Sequence, residues 1–287
     1  MKYLLSVICF SLLFAGNLSA QLELPAKSPA ASVSFKVGLT DVTVRYSSPA
    51  VRDREIWGAL VPYEEVWRAG ANEATTVEFS TDVKVQDKFL PKGKYSFFII
   101  PKENGKWIAI FNKVWDQWGA YRYDPSKDAL RVEIKTKTSK NNVERLSYSI
   151  VDKSINTGYI RFAWEKKRAY ILFRTDVFTQ VANNLKKAVA EAKDNEKWTP
   201  YALAANFYFE NGKKDLATKH IQTSLDLGKH TRNLWIASKI VADSGDYKTA
   251  VADLEMAIEL GQKANSRFYN NYKDDIKARL EMYRKKL

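Results

Sequence analysis

The sequence has little of the chemistry that builds disulfides, thiolate metal sites and histidine-dependent active sites. It contains one cysteine, Cys9, and two histidines, His220 and His230, among 287 residues. Cys9 lies in an N-terminal apolar run that we expect to be removed, which excludes disulfides, thiolate zinc sites and cysteine nucleophiles from the remaining chain. Both histidines lie beyond residue 200, so a Ser-His-Asp triad cannot form within the first 175 residues. They lie ten residues apart, near predicted helix ends, and we interpret them as surface histidines with satisfied hydrogen bonds, so we predict no metal site.

No hydrophobic run is long enough to cross a bilayer, which needs roughly 20 apolar residues. The run at residues 4–15 follows Lys2 and precedes small residues that end at Ala20. A basic start, a short apolar run and a small-residue cleavage site are typical of an export signal. We therefore expect a signal peptide over residues 1–20, no transmembrane segment after its cleavage, and a mature protein that is periplasmic or extracellular.

Acidic residues are fewer than basic ones: 33 Asp and Glu stand against 46 Lys and Arg, a formal net charge of +13. This balance favours loose attraction to anionic surfaces. The basic residues form no dense stripe and no nucleic-acid motif along the sequence, and the cluster at residues 166–168 is interpreted as solvated charge at a hairpin turn. Glycine-rich phosphate loops are missing too, so we expect no nucleic acid and no cofactor.

Alternation of apolar and polar residues dominates the chain from about residue 31 to residue 175. In the stretch DVTVRYS, for example, Val42, Val44 and Tyr46 alternate with polar neighbours. Period two is typical of half-buried strands, and nine or ten such strands follow one another without helical segments. We therefore predict an antiparallel β-sandwich or flattened barrel over residues 21–175, and we disfavour a parallel, doubly wound sheet.

The period changes to that of helices over residues 176–287, where two similar units follow a first amphipathic helix. The first unit has Tyr201, Ala204, Ala205, Tyr208, Gly212, Ala217, Ile221 and Ser224 where the second has Leu234, Ala237, Ser238, Val241, Gly245, Ala250, Leu254 and Ala257, a constant offset of 33. This pattern resembles the tetratricopeptide repeat, in which small residues lie where paired helices touch. Lys214 and Ser224 depart from it. The predicted fold class is thus α+β, and the helices either bind a protein partner or brace the sheet domain.

Four blocks in the first part carry a family resemblance. They are IWGALVPYEEVWRAGANEATTVEFSTDV (56–83), FLPKGKYSFFIIP (89–101), WIAIFN (107–112) and WGAYRYDPSKDALRV (118–132). In this order they resemble the secreted bacterial family catalogued as domain of unknown function 2911, over about residues 28–175. Residues 86–88 depart from the pattern, which usually has a glycine there. The resemblance implies no reaction, cofactor or catalytic residue, because none is established for the family.

The segment WRAGANEATTVEF, residues 67–79, is the first candidate site. In a binding loop, Gly70 would let the backbone approach a ligand, Arg68 would pair with an anion, and Asn72 and Glu73 would take hydroxyls or amides. In the structural alternative, the segment crosses the sandwich, Trp57 and Trp67 plug its mouth, and Arg68 pairs with a carboxylate.

A second candidate site is the loop that holds Trp115, Trp118, Tyr121 and Tyr123 among polar residues. Aromatic rings with polar neighbours are typical of sugar-binding surfaces, and the alternative is that the rings fold back onto the core. Our leading interpretation is an exported, non-catalytic binding module, with a glycan or a protein as the candidate partner. The alternative is a carboxylate-based glycan hydrolase, for which two facing carboxylates are required. The available carboxylates are Glu64, Glu65, Glu73, Glu78, Asp116 and Asp124.

Overall fold

The computed structural model describes residue 22 and residues 24–287, so the predicted signal peptide lies outside the described residues. The strands are β1 (Ala30–Val37), β2 (Thr40–Ser47), β3 (Thr76–Phe79), β4 (Val83–Val85), β5 (Lys88–Leu90), β6 (Gly93–Ile100), β7 (Lys106–Asn112), β8 (Asp128–Ser154) and β9 (Thr157–Thr175). The α-helices are α1 (Val177–Glu191), α2 (Trp198–Glu210), α3 (Lys214–Asp226), α4 (Thr231–Asp243), α5 (Tyr247–Lys263) and α6 (Arg267–Arg284). This confirms the predicted α+β architecture of a sheet followed by helices.

The nine strands form one antiparallel sheet in the order β1-β2-β3-β6-β7-β8-β9-β4-β5. Stretches that the sequence presents as separate strands are continuous in β8 and β9, which change register between Thr138 and Ser147. Glu165 adopts a positive φ of 48° at the same level of the sheet. The hairpin-turn interpretation of residues 166–168 is therefore wrong, because these residues lie inside β9.

The turn between β4 and β5 explains the departure from the family pattern at residues 86–88. Gln86 and Asp87 both have positive φ, 47° and 65°. Two successive residues in this region are what a tight hairpin turn requires, and glycine adopts it most easily. Asp87 also accepts a hydrogen bond from Arg174 on β9, which helps to hold the turn without a glycine.

The inner faces of the strands enclose a core rich in aromatic rings. Trp107 and Trp164 are fully buried there. The half-buried Trp57 lies 4.6 Å from Trp107 between ring centroids, and Trp67 stacks on Trp164 at 5.7 Å. The long connection between β2 and β3 is thus fastened to the core by its two tryptophans, as the structural alternative for this segment predicts.

The loop between β7 and β8, residues 113–127, covers an apolar part of the opposite, outer face. Phe98 on β6 and Ile110 on β7 point outward yet are fully buried, together with Ala74. Tyr123 of the loop packs against Phe98 with ring centroids 5.1 Å apart. These apolar contacts hold the loop against the sheet. The loop therefore lies next to the strand ends that carry the candidate site.

The helical part contains two helix pairs, α2 with α3 and α4 with α5, and the helices of the second pair begin 33 residues after those of the first. Ala205 and Ala217 in the first pair, and Ala237 and Ala250 in the second, are buried almost completely. Alanines at these contacts let the paired helices approach closely. No helix in the described part of the chain has the length and apolar character needed to span a membrane.

Both departures from the repeat pattern have a local cause. Ser224, where the second unit has Ala257, donates through its hydroxyl to the carbonyl of Trp198 at 2.8 Å and accepts from the Asn233 side chain at 3.1 Å. The ammonium of Lys214 lies 2.6 Å from a carboxylate oxygen of Asp243. Each departure thus replaces an apolar contact with a polar one between neighbouring helices.

Candidate functional site

A hollow of about 460 Å³ lies on the outer face of the sheet, between β1 to β3, β6 and the loop after β7. Its walls combine aromatic rings, charges of both signs, and small hydroxyl or methyl side chains. The lining residues are Ala30, Ala31, Ser32, Arg45, Tyr46, Ser47, Glu73, Ala74, Thr76, Lys94, Trp115, Asp116 and Gln117. Two of the seven predicted site residues, Glu73 and Trp115, are among them.

Trp115 forms one wall of the hollow and is 45% exposed. The ammonium of Lys94 lies over the indole ring, 3.8 Å from its centroid, and forms a cation–π interaction with it. Arg45 extends toward Glu78, with 3.4 Å between the guanidinium and a carboxylate oxygen. This edge of the hollow therefore holds one indole ring and two cations, which come from β2 and β6 on either side of β3.

Gln117 lies at the buried side of the hollow and is only 6% exposed. Its amide nitrogen donates to the carbonyl of Val114 at 2.7 Å and contacts the Ser96 hydroxyl at 3.4 Å. Its amide oxygen is buried and accepts no hydrogen bond from the described residues. An unpaired buried acceptor of this kind lowers the stability of the loop.

The segment at residues 67–79 supplies Glu73 to the hollow but otherwise serves the fold. The Asn72 amide donates to the carbonyl of Ser28 at 3.3 Å and to the Ser47 hydroxyl at 3.2 Å. A Cβ on the buried Gly70 would lie 2.7 Å from the Thr75 hydroxyl. A larger residue at position 70 would therefore collide with the neighbouring Thr75 side chain.

Arg68 points toward the β7–β8 loop and not toward a carboxylate. One guanidinium nitrogen lies 3.4 Å from where a Cβ on Gly119 would be, and the buried Nε has no hydrogen-bond partner among the described residues. No ion pair of Arg68 is found within that part of the chain. The carboxylate partner predicted by the structural alternative is thus wrong for the described residues.

The aromatic residues of the loop divide into two groups. Trp118 and Tyr121 are 58% and 84% exposed, and Trp118 forms an isolated β-bridge with Glu73 beside the hollow. Tyr123 is half-buried and donates its hydroxyl to Asp128 at 2.7 Å. Burial, followed by this hydrogen bond, raises the pKa of Tyr123 to about 12, so it stays protonated. Tyr123 anchors the loop, as the alternative of folding back onto the core predicts.

Glu73 and Asp116 are the two predicted carboxylates that line the hollow. The others are elsewhere or engaged: Glu64 pairs with Lys102 at 3.4 Å, Glu78 approaches Arg45, and Glu65 is exposed on the β2–β3 connection. Hydrogen bonds from Ser126 lower the pKa of Asp124, which caps a short 3₁₀ turn. Of the six predicted carboxylates, only Glu73 and Asp116 line the hollow.

The histidines are both packed against aromatic rings in the helical part. His230 stacks on Trp198 with ring centroids 4.0 Å apart, and His220 stacks on Tyr208 at 5.4 Å. Burial lowers the pKa of both. Among residue 22 and residues 24–287, no group of three or more His, Asp or Glu side chains is arranged to hold a metal ion.

Sequence reasoning missed Arg45, Tyr46 and Lys94, which share the hollow with Trp115 and Asp116. Arg45 is an outward position of a correctly predicted strand, and Lys94 lies near the start of another. Alternation shows that a side chain faces outward but not which other outward side chains lie beside it. No local signal could have found these residues.

The fold and the hollow define an antiparallel β-sandwich protein with an open, aromatic-walled surface site, followed by a helical part. The chain belongs to the family described as "Protein of unknown function (DUF2911)", whose model matches residues 28–173. This match confirms the family resemblance carried by the four sequence blocks. Searches of the curated proteins and of the solved structures found no match.

Proposed function

We propose that the sheet domain is a non-catalytic module that binds a glycan in the hollow. The observation that supports this proposal is the exposed indole of Trp115 on the wall of a polar hollow of about 460 Å³. A sugar ring has an apolar face and a rim of hydroxyls. An aromatic plane with polar groups around it complements both, because the ring offers a large apolar surface with few rotatable bonds.

The polar groups around Trp115 suit hydroxyls better than they suit a single charge. Arg45 and Lys94 donate hydrogen bonds, and Glu73 and Asp116 accept them. Their formal charges cancel, so neither a strong anion nor a strong cation is favoured. A hydroxyl both donates and accepts, so the hydroxyls of a sugar can complement both kinds of group.

Replacing Trp115 by alanine is expected to weaken glycan binding by at least about tenfold, which corresponds to roughly 1.4 kcal/mol. The indole is largely exposed, so the loss of stability should stay small. The measurement is a glycan array with the purified mature chain, followed by calorimetric titration of the best oligosaccharide.

The matched control is Tyr272→Ala. Tyr272 lies on α6 in the helical part and is 43% exposed, close to the value for Trp115. The control variant should bind the oligosaccharide as the unchanged chain does. If the array yields no ligand, or if both variants weaken binding equally, the hollow is not a glycan site.

A second candidate function is glycan hydrolysis, which the shared position of Glu73 and Asp116 on the hollow favours. Glycoside hydrolysis uses one carboxyl as an acid and a second as a base or nucleophile. If the domain is a hydrolase, Glu73→Gln should abolish product release and leave ligand binding largely intact, because the amide keeps the shape of the side chain. Reducing-end assays on the oligosaccharide selected by the array test this. No product from the unchanged chain would contradict it.

We also propose that the protein is exported, on the strength of the signal-like sequence at residues 1–20. The helical part is proposed to be tetratricopeptide-like and to bind a protein partner. Its support is the 33-residue offset and the exposed apolar side chains Leu203 and Met282. Apolar side chains left in water on such helices are suited to docking.

A further inference from the structure

Five cations meet on the outer face of the sheet where β7, β8 and β9 run side by side. We call them the basic strip: Lys106, Lys135, Lys137, Lys166 and Arg168. Lys106 lies opposite Lys135, and Lys137 lies opposite Arg168, in the strand register. Directly opposed residues face the same side of a sheet, as do residues two apart on one strand. The register therefore gathers on one face cations that are up to 62 positions apart in the chain.

The basic strip contains two like-charged cross-strand pairs side by side. Opposed side chains in an antiparallel sheet are about 5 Å apart, and like charges there destabilise the sheet. None of the five cations is within 4 Å of a carboxylate in the part of the chain that the structure describes. The repulsion between these like charges lowers stability, and no carboxylate of the described residues offsets it. This points to an anion from outside the chain as the partner of the strip.

The polar neighbours of the strip leave its charge uncompensated. The Arg168 guanidinium donates to the carbonyls of Glu165, Lys167 and Asn141, which are uncharged acceptors. The Glu165 carboxylate turns to the backbone amide of Lys166. On β8, Glu133 precedes Lys135 by two residues and faces the same side, and it is followed toward the start of the strand by the basic Arg131. The strip therefore keeps a strong positive excess.

The strip and the hollow lie on the same face of the sheet. Lys94 in the hollow and Phe98 are on one side of β6, Phe98 lies opposite Ile110 on β7, and Ile110 shares its side with Lys106. In the β6–β7 register, Lys106 lies beside residue 102, which is eight residues further along the chain than Lys94. At the usual rise per strand residue, Lys94 and Lys106 are therefore roughly 26 Å apart along the strands. The loop that carries the exposed Trp118 and Tyr121 lies between them. The distance suits an extended polymer better than a small ligand.

We propose that the basic strip binds an acidic segment of a polysaccharide, whose carboxylate or sulfate groups neutralise the opposed lysines. This inference rests on the proposed function of the hollow, because the shared face is what favours a polysaccharide over other polyanions. The glycan class is then an acidic one: one sugar ring occupies the hollow, and charged units further along the chain lie on the strip.

Two other polyanions fit the strip less well. Attachment to a lipid surface gains from apolar side chains that enter the membrane. Among the described residues of β7 to β9, Val151 and Tyr170 are the large exposed apolar side chains, and the exposed Trp118 and Tyr121 lie between the strip and the hollow. Duplex nucleic acid is read by an element that enters a groove, and the strip lies on the broad face of a sheet, not on a projecting element.

The test is binding of polygalacturonate and of dextran sulfate to the mature chain, with neutral dextran for comparison, at about 0.05 M salt. The double variant Lys135→Glu with Lys137→Glu converts both like-charged pairs into opposite-charged ones. We expect at least about a tenfold loss of acidic-polymer binding, with a melting temperature that rises by roughly 1–3 °C. Binding by the unchanged chain should fall steeply toward about 0.5 M salt.

The matched control is Lys285→Glu with Lys286→Glu, which changes the net charge equally at the exposed C terminus. This variant should keep its affinity for the acidic polymers. Equal losses in the two double variants would show a diffuse charge effect and overturn the proposal. So would tighter binding of a 20-base-pair DNA duplex or of vesicles rich in phosphatidylglycerol. If the Glu variant fails to fold, Lys135→Gln with Lys137→Gln is used, and retained binding by that variant overturns the proposal.

Failure of the strip and failure of the hollow can be told apart. Trp115→Ala should weaken binding of short neutral oligosaccharides by at least about tenfold while most of the affinity for acidic polymers remains, since the strip is roughly 26 Å away. Loss of polymer binding only in the strip variant, with no neutral ligand for the hollow, would support the strip and reject the proposed function.

Discussion

Replacing Trp107 by alanine is expected to lower the free energy of unfolding by about 3–5 kcal/mol. Trp107 is fully buried, and its indole contacts the rings of Trp57 and Phe162 at centroid distances of 4.6 and 6.2 Å. Its ring nitrogen also donates to the carbonyl of Lys102 at 3.0 Å. The substitution removes the ring contacts and one hydrogen bond and leaves a cavity, and all of these effects lower stability.

Urea denaturation followed by tryptophan fluorescence measures this effect. The matched control is Trp118→Ala, in which the same residue type is removed from a side chain that is 58% exposed. The control should change the free energy of unfolding by no more than about 0.5 kcal/mol. A loss below about 1 kcal/mol for the Trp107 variant would mean that this aromatic core does not hold the strands together.

Replacing Asn233 by alanine is expected to lower the free energy of unfolding by about 2–4 kcal/mol. This fully buried side chain joins α3 to α4. Its amide nitrogen donates to the carbonyl of Gly228 at 2.7 Å and to the Ser224 carbonyl at 3.2 Å, and its oxygen accepts from the backbone of His230 at 2.7 Å. Alanine supplies none of these bonds, so several buried groups lose their partners.

Circular dichroism at 222 nm reports the helices and measures the effect of the Asn233 substitution in urea. Asn270→Ala is the control, because Asn270 is exposed on α6 and bonds only to Asn265, at 3.1 Å. The control should be close to neutral. Equal stability of the two variants would contradict a structural role for the buried amide.

If both substitutions act as expected, they separate the two halves of the protein experimentally. The Trp107 variant should damage the sheet domain and with it the hollow, whereas the Asn233 variant should leave glycan binding unchanged at temperatures where the sheet stays folded. Binding assays on variants of the hollow can then be interpreted as effects on the site itself. This matters because Trp115 and Trp107 both belong to the sheet part of the chain, whereas Trp107 is fully buried and Trp115 is 45% exposed.

The architecture could be predicted from sequence because its signals are local. The alternation of Val42, Val44 and Tyr46 identifies a strand without knowledge of its neighbours, and the repeated alanines at an offset of 33 identify paired helices. Where local signals misled, a long-range contact was the cause. Residues 166–168 read as a turn, but pairing of Lys167 with Thr138 keeps them in β9.

The candidate site could be predicted only in part. The sequence indicated the segments that supply Glu73 and Trp115, since unusual aromatic and polar residues cluster there. It could not separate Tyr123, which turns inward to Asp128, from Tyr121, which is exposed. It also could not show that Gly70 is required by Thr75. These differences depend on which atoms lie next to each side chain, and most of those atoms come from other strands.

The sequence by itself determined the order of strands and helices, the absence of thiol chemistry beyond the predicted signal, and the family. Only the tertiary structure decided that Arg45, Lys94 and Trp115 border one hollow and that Lys106 opposes Lys135. The physical reason is that periodicity is a property of neighbouring residues, whereas strand register is set by pairing between distant ones. A chain without a dense basic stripe in its sequence can therefore carry one on its folded surface.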